Sequence, residues 1–166
     1  MRGFTIPARL VSIFIIVLMT AIAVPSWRAG ETTLALDRAA HKLAQDVRKA
    51  TELAQRAQPL VPPLTCVPGK ISGYGVFIST GTPSLYTLYA ECNSNQTYEV
   101  GVDVAFQAVT LESKIQITSA TPSSFSMFFV PPVPTITIQP GNLTQAQITL
   151  SVVGDANITE TLTIES

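Results

Sequence analysis

The sequence has little of the residue types on which most catalytic and metal sites depend. It contains one histidine, His41, and two cysteines in 166 residues. A lone histidine leaves no support for a Cys–His pair or a Ser–His–Asp triad. His41 stands among charged residues of a helical segment, where a solvated position is expected, and the GYG run at 73–75 is too short for a phosphate-binding loop. We predict no enzyme activity and no cofactor.

Basic residues are scarce beyond residue 58. Only Lys70 and Lys114 stand there, against seven acidic residues. An acidic domain is a poor binder of phosphate backbones, so we predict that nucleic acid is not a partner. The length that follows the apolar N-terminal segment, about 140 residues, suffices for one helix-plus-sheet unit with one core.

Residues 34–58 lack both glycine and proline and are rich in strong helix formers. Apolar residues recur there at alternating spacings of four and three, which is typical of an amphipathic helix. The stripe consists of Leu36, Ala40, Leu43, Val47, Ala50 and Ala54. We predict that this helix packs on another element through the stripe.

Charge is almost absent between residues 4 and 25. The run 10–24 carries no charged residue, and with 4–9 it reaches the about 20 residues that cross a bilayer. Arg2 and Arg9 lie at its start, which predicts a cytoplasmic N-terminus and export of the rest. We predict a transmembrane helix with a kink at Pro25, and a single-pass protein of the inner (cytoplasmic) membrane whose C-terminal domain lies outside the cytoplasm.

A second interpretation treats the same stretch as an ordinary secretory signal. A basic start, an apolar run and the small residues 21–23 fit a signal peptide cleaved after Ala23. The mature chain would then begin at Val24. In that case the protein would be a secreted β-rich binding module.

Short segments rich in β-branched and aromatic residues follow residue 73 and are separated by turn residues. The eight predicted strands are 74–79, 85–91, 97–103, 113–119, 125–130, 135–138, 147–153 and 161–165. We therefore predict an α+β fold, in which a long N-terminal helix, half membrane-spanning and half amphipathic, packs on a C-terminal antiparallel β-sheet domain.

The N-terminal pattern resembles a known family. GFTI at 3–6, a long apolar segment, Pro25 and an amphipathic helix that runs into a β-rich domain are similar to the type IV pilin and pseudopilin superfamily. The resemblance implies that a prepilin peptidase cuts after Gly3 and methylates the amine of Phe4. The predicted organisation is a leader at 1–3, a helix over 4–58 (4–25 transmembrane, 30–58 amphipathic), a linker at 59–73 and a β-rich domain at 74–166.

One position departs from the family pattern. The glutamate that the family carries fifth in the mature chain falls on Ala8. In the family that carboxylate is thought to meet the N-terminal amine of a neighbouring subunit, because an unpaired charge in hydrocarbon is costly. Ala8 is consistent with a subunit at the fibre tip, a divergent lineage or a relative that does not assemble.

The β-rich part carries a second resemblance. GYGVF at 73–77 and LYTLYAECN at 85–93 are similar to GspH/FimT-type minor pseudopilins. Together the two resemblances imply a structural subunit, a minor pseudopilin or type IV pilin-like protein, of a pilus or a type II secretion-like fibre, assembled through the apolar helix. The partners they imply are the prepilin peptidase, other pilin or pseudopilin subunits, an inner-membrane assembly platform and the lipid bilayer.

The two cysteines and one turn supply the remaining candidate sites. Cys66 and Cys92 would both be exported, where a pair more often forms a disulfide than two free thiols; two buried thiols are the alternative. The weak metal-ligand candidates are Glu91, Asn93, Asn95 and Glu99, whose spacing lacks the glycine and acidic first positions of an EF-hand loop. A hydrogen-bonded Asx turn is the default interpretation, and we predict no metal there.

Overall fold

The computed structural model describes residues 6–56, 66, 70–131 and 135–166, without the side chains of 23–29. The elements in chain order are α1 (Ile6–Arg56), β1 (Gly73–Ser79), β2 (Leu85–Glu91), β3 (Val104–Thr110), β4 (Ile115–Thr121), β5 (Ser124–Phe129), β6 (Ile136–Gln139), β7 (Gln145–Val152) and β8 (Asp155–Glu165). The chain falls into two compact units, Met1–Leu34 and Ala35–Ser166. The second unit therefore contains the last part of α1 and every strand.

The membrane-spanning half predicted for the helix is wrong. Among the described residues, no helix has the length and apolar character needed to cross a membrane. The charged Arg9 lies near the start of the apolar stretch 6–22, whereas a crossing takes about 20 consecutive, predominantly apolar residues. The same finding contradicts the single-pass inner-membrane location predicted from this stretch.

The β-rich part forms two antiparallel sheets, whereas the sequence pattern predicted one. The first has five strands in the order β3-β2-β1-β5-β6, and the second has three in the order β4-β7-β8. The division arises because β4 pairs with β7 and with neither of its sequence neighbours. Pairings of this kind join distant segments, and strand patterns alone do not specify them.

One predicted strand is also wrong. The segment 97–103 is a loop, and the strand that follows, β3, begins at Val104. Tyr98, Val100 and Val102 alternate as in a strand, but Gly101 has a φ of +86°, and the Asp103 carboxylate accepts a hydrogen bond from the Glu99 N–H at 2.7 Å. A positive φ and a closed side-chain turn both interrupt an extended backbone.

The helix stripe predicted from the sequence packs into the core of the second unit. Leu36, Ala40, Leu43, Ala50 and Ala54 are buried, and Val47 is half-buried against the same cluster. The small alanine side chains allow the helix backbone to lie close to its neighbours. Buried side chains of β1, β2 and β5 belong to the same core, among them Val76, Leu88 and Met127. Buried residues of β4, β6 and β7 belong to it as well.

A buried polar contact fixes the helix on the sheet. The Asp46 carboxylate of α1 is buried and accepts a hydrogen bond from the Tyr86 hydroxyl of β2 at 2.6 Å. Lys42 Nζ donates to both Asp46 oxygens at 3.0 Å. Burial, helped by the Asp46 carboxylate, raises the pKa of the Tyr86 hydroxyl well above its usual value. A buried charge without partners is costly, so Asp46 needs both partners, and its bond to Tyr86 holds α1 in one register against β2.

Candidate functional site

The residues predicted for N-terminal processing, Gly3 and Phe4, lie outside the described residues. Pro25 lies within the bounds of α1, but it belongs to the stretch 23–29 whose side chains the structure does not describe, and the predicted kink falls there too. Ala8 lies in the first described turns of α1 and is half-buried.

The helix over 6–22 exposes apolar side chains in every direction. The exposed fraction is 77% for Ile6, 65% for Phe14 and 71% for Ile22. The hydroxyls in this stretch bond to their own helix, since Ser12 Oγ donates to the Ala8 carbonyl at 2.9 Å and Thr20 Oγ1 donates to the Ile16 carbonyl at 3.0 Å. The large apolar residues exposed here are Ile6, Leu10, Val11, Ile13, Phe14, Ile15, Ile16, Val17, Leu18, Met19 and Ile22. Contiguous apolar surface of this kind marks an interaction site.

Cys66 and Cys92 form a disulfide in the structure. Cys66 is buried, and Cys92 follows the last residue of β2. The bond therefore ties the segment after the helix to the end of a central strand. It also anchors one end of the loop 92–103, hereafter the carboxylate loop.

Glu91, the last residue of β2, and three residues of the carboxylate loop are the four weak candidates for metal ligands. Side-chain oxygens of this group already accept hydrogen bonds from backbone N–H groups. Glu91 Oε1 accepts from the N–H groups of Asn93 at 3.4 Å and Asn95 at 3.3 Å. Asn93 Nδ2 donates to Glu99 Oε2 at 2.8 Å, and the Asn95 side chain accepts from the Thr97 N–H at 2.8 Å, which makes an Asx turn. Within the described ranges, no group of three His, Cys, Asp or Glu side chains is arranged to hold a metal ion.

Asp103 is the residue of this loop that sequence reasoning missed. Its carboxylate accepts from the Cys92 N–H at 3.0 Å and from the Glu99 N–H at 2.7 Å, so it closes the loop across eleven residues. Asp103 is the last residue of the strand predicted over 97–103. One pattern in the sequence could have identified Asp103. A run of Asn and Ser residues predicts a turn, and Asp103 is the acidic residue directly before the next apolar segment.

Glu91, at the end of β2, is fully buried. Its second oxygen, Oε2, has no hydrogen-bond partner among the described residues. Burial, the nearby Asp103 charge and, to a lesser degree, Glu99 raise the pKa of Glu91 to about 7, although the two N–H donors oppose the shift. In the folded protein, Glu91 therefore keeps its proton up to near-neutral pH.

The pH dependence of stability follows from Glu91. The group keeps its proton in the folded state up to about pH 7, but in the unfolded chain it ionises near the ordinary glutamate pKa of 4.5. The free energy of unfolding therefore falls as the pH rises through this interval. We expect a loss of about 2 kcal/mol between pH 5 and pH 7. Urea unfolding of the wild type and of Glu91→Gln at pH 5 and pH 7 measures this loss of stability.

Glu91→Gln removes the titration and should flatten this dependence, whereas the exposed Glu165→Gln should leave it as in the wild type. An equally steep loss of stability in Glu91→Gln would assign the pH effect to another group.

His41, the lone histidine, lies on the exposed surface of α1, as predicted. Its side chain is 73% exposed, and Nδ1 lies 3.2 Å from Asp37 Oδ1 one helical turn earlier. A single exposed imidazole beside one carboxylate does not make a nucleophilic or metal site.

The comparisons with known proteins returned no relatives: no protein-family model, no curated protein and no solved structure matches the chain.

Proposed function

We propose that the chain is a structural subunit of a pilin-like fibre, in the manner of a minor pseudopilin or type IV pilin, and that it assembles through residues 6–22. The observation that carries the proposal is the apolar surface of this stretch. A helix that is apolar on all sides requires other apolar groups to cover it. The GFTI motif gives a second support, because its resemblance to a prepilin processing site places the mature N-terminus directly before this surface.

Assembly on this proposal works by packing, and no covalent bond changes. When helices of several subunits lie together, each buried side chain of the size of Phe14 contributes about 1.5–3 kcal/mol. Ala8 offers no carboxylate to a neighbouring N-terminal amine, so the charge pair of the family has no part in these helix contacts. The proposal covers a pilus and a type II secretion-like fibre equally, because both resemblances imply the same kind of helix packing.

The test is to express the full chain with a prepilin peptidase, identify the mature N-terminus by mass spectrometry and collect fibres by sedimentation. We expect N-methyl-Phe4 and a sedimenting fibre. Replacing Phe14, which is 65% exposed, by serine should reduce the sedimented fraction at least tenfold, because one apolar contact of ~1.5 kcal/mol or more is lost per subunit.

The matched control is Val153→Ser, which also removes an exposed apolar side chain, but from the turn between β7 and β8. It should sediment as the wild type does. A mature chain that begins at Val24 would contradict the proposal and favour the secreted β-rich module. Fibres that form equally well with Phe14→Ser would show that 6–22 is not the assembly surface.

A further inference from the structure

Three of the four asparagines in the chain begin an Asn-X-Thr triplet, namely Asn95, Asn142 and Asn157. Threonine makes up 20 of the 166 residues, so chance alone is expected to give fewer than one such triplet among four asparagines. The triplet is the acceptor for N-linked glycans and marks surface positions of exported proteins. All three asparagines are exposed. The structure separates them by what surrounds each side chain.

The first two triplets are held in hydrogen-bonded turns. Asn95 Oδ1 accepts from the Thr97 N–H at 2.8 Å, and Asn142 Oδ1 accepts from Gln139 Nε2 at 2.6 Å. Within the same triplets, Gln96 has a φ of +64° and Asn142 a φ of +50°. A transferring enzyme that binds either asparagine must first break these bonds and rearrange a turn.

Asn157 lies in an interruption of the β7–β8 ladder. Asp155 pairs with Val152, and Thr159 pairs with Ser151. Because Ser151 and Val152 are adjacent on β7, Asn157 and its two neighbours have no opposite residue. β8 is also an edge strand, since it pairs with β7 alone. An enzyme can therefore approach the chain at this point without opening the sheet.

The two reacting groups of this third triplet face outward together. Asn157 and Thr159 are exposed, whereas Ile158 between them is half-buried against the core, as expected where successive side chains of a strand point to opposite faces. The backbone N–H of Asn157 donates to Asp155 Oδ1 at 3.1 Å. Among the described residues, the Asn157 amide group and the Thr159 hydroxyl have no hydrogen-bond partner.

Asn157 also differs from the other two in the residue two positions before it. Asp155 stands there, whereas the corresponding positions before Asn95 and Asn142 hold Asn93 and Pro140. A carboxylate has several acceptor sites, so Asp155 can bind a cationic side chain while it accepts the Asn157 N–H. Such a charge-assisted bond is stronger than a neutral one and gives a transferring enzyme a grip beside the acceptor.

The Cys66–Cys92 disulfide supports maturation outside the cytoplasm, because such bonds persist in oxidising compartments. Glycan transfer to Asn-X-Thr triplets belongs to exported chains. The disulfide and the triplets are independent features of the chain, and both favour export of the β-rich part.

We propose that Asn157 carries an N-linked glycan, transferred from a sugar that is activated as a lipid pyrophosphate. The bond between the anomeric carbon and the pyrophosphate oxygen breaks, and the anomeric carbon bonds to Asn157 Nδ2. The lipid pyrophosphate leaves with the electron pair of the broken bond, and one amide proton passes to a base of the transferring enzyme. The step needs no oxidant or reductant. The inference goes beyond the fibre function and does not depend on it.

The experiment maps the sugar on the full chain purified from the cells that naturally produce it. A protease that cuts before aspartate places each triplet on its own peptide, because Asp46, Asp103 and Asp155 lie between or before them. The three peptides are 46–102, 103–154 and 155–166. Mass spectrometry should find the added mass of the sugar units on the peptide 155–166, and fragmentation should place it on Asn157.

Four variants made in the same cells test the recognition of the triplet. Asn157→Gln and Thr159→Ala should each give an unmodified peptide 155–166, although Thr159→Ala leaves the asparagine in place. Thr159→Ser keeps the hydroxyl and should retain part of the modification. Thr163→Ala is the matched control, because Thr163 is exposed on the same strand and lies outside the triplet; it should be modified as the wild type is. All four should unfold within a few degrees of the wild type, because surface substitutions have small effects.

An unmodified peptide 155–166 in the wild type would overturn the proposal, whether the sugar is found on another peptide or on none. A sugar that remains in Asn157→Gln would place it on a hydroxyl and would also overturn the N-linked site. Neither result changes the sedimentation expected from 6–22, so the proposed fibre function is tested separately.

Discussion

Replacing Gly73 by alanine is expected to lower the free energy of unfolding of the β-rich unit by about 3 kcal/mol or more, as overpacking of a fixed site does. A Cβ at this position would lie 2.5 Å from the Phe129 carbonyl oxygen and 2.4 Å from Phe128 Cζ. The oxygen belongs to the backbone of the paired strand, in which Tyr74 of β1 stands opposite Phe129 of β5. The strand cannot move away without breaking the β1–β5 ladder.

Gly81→Ala is the matched control, because the nearest atom to its added Cβ is the flexible Ser79 Oγ at 3.3 Å. Its stability should stay within about 0.5 kcal/mol of the wild type. Chemical denaturation followed by circular dichroism measures both variants. If Gly73→Ala and Gly81→Ala unfolded at the same denaturant concentration, the close approach of β1 and β5 would be refuted.

Removing the disulfide is the second change with a large expected effect. The bond closes a loop with a sequence separation of 26, for which loop-closure entropy gives about 3.5 kcal/mol of stabilisation through the unfolded state. Cys66→Ala with Cys92→Ala should therefore reduce the free energy of unfolding by roughly that amount. Alanine is preferred to serine because Cys66 is buried and a hydroxyl there would be without assured partners.

Reduction supplies an independent measurement of the same effect. Adding dithiothreitol to the wild type should lower its unfolding midpoint to that of the double variant, and the double variant should not respond. A wild type whose unfolding is unchanged after complete reduction would contradict the expected contribution of the bond.

The local features of the fold were predictable because they depend on local sequence. β2 was predicted over 85–91, and the structure has it as Leu85–Glu91, since aromatic and β-branched residues there are bounded by clear turns. The stripe from Leu36 to Ala54 follows from helical periodicity alone, and burial of its members agrees with it. Both patterns are short-range, because they depend only on residues within the same helix or strand.

The errors arose where the outcome depends on distant residues or on length. The segment 97–103 has the alternation of a strand, but Asp103 bonds back to Cys92 and turns it into a loop. Pairing of β4 with β7 splits the predicted single sheet into two. The membrane prediction counted residues 4–25 as one apolar span, and no described helix meets that requirement.

The features of the candidate site also include some that were predictable from local sequence and others that depend on the fold. The apolar character of 6–22 is visible in the sequence, and so are the residues Gly3 and Phe4 on which the family resemblance depends. A groove between α1 and the end of β3 was not predictable, because its lining residues Ala39 and Leu111 lie far apart in the chain and come near each other only in the folded unit. The sequence made Glu91 only a weak candidate for a metal ligand, whereas its burial and raised pKa depend on the folded surroundings.

The long edge strand β8 also has a consequence for solubility. It forms one edge of the three-stranded sheet over eleven residues, and a free edge of that length is a template for pairing with another copy. In an antiparallel pairing of two β8 strands centred on Glu160, that residue faces its own copy, and Asp155 faces Glu165. Like charges directly opposite one another destabilise such a ladder. The three acidic residues thus protect the β-rich unit from aggregation through its longest edge.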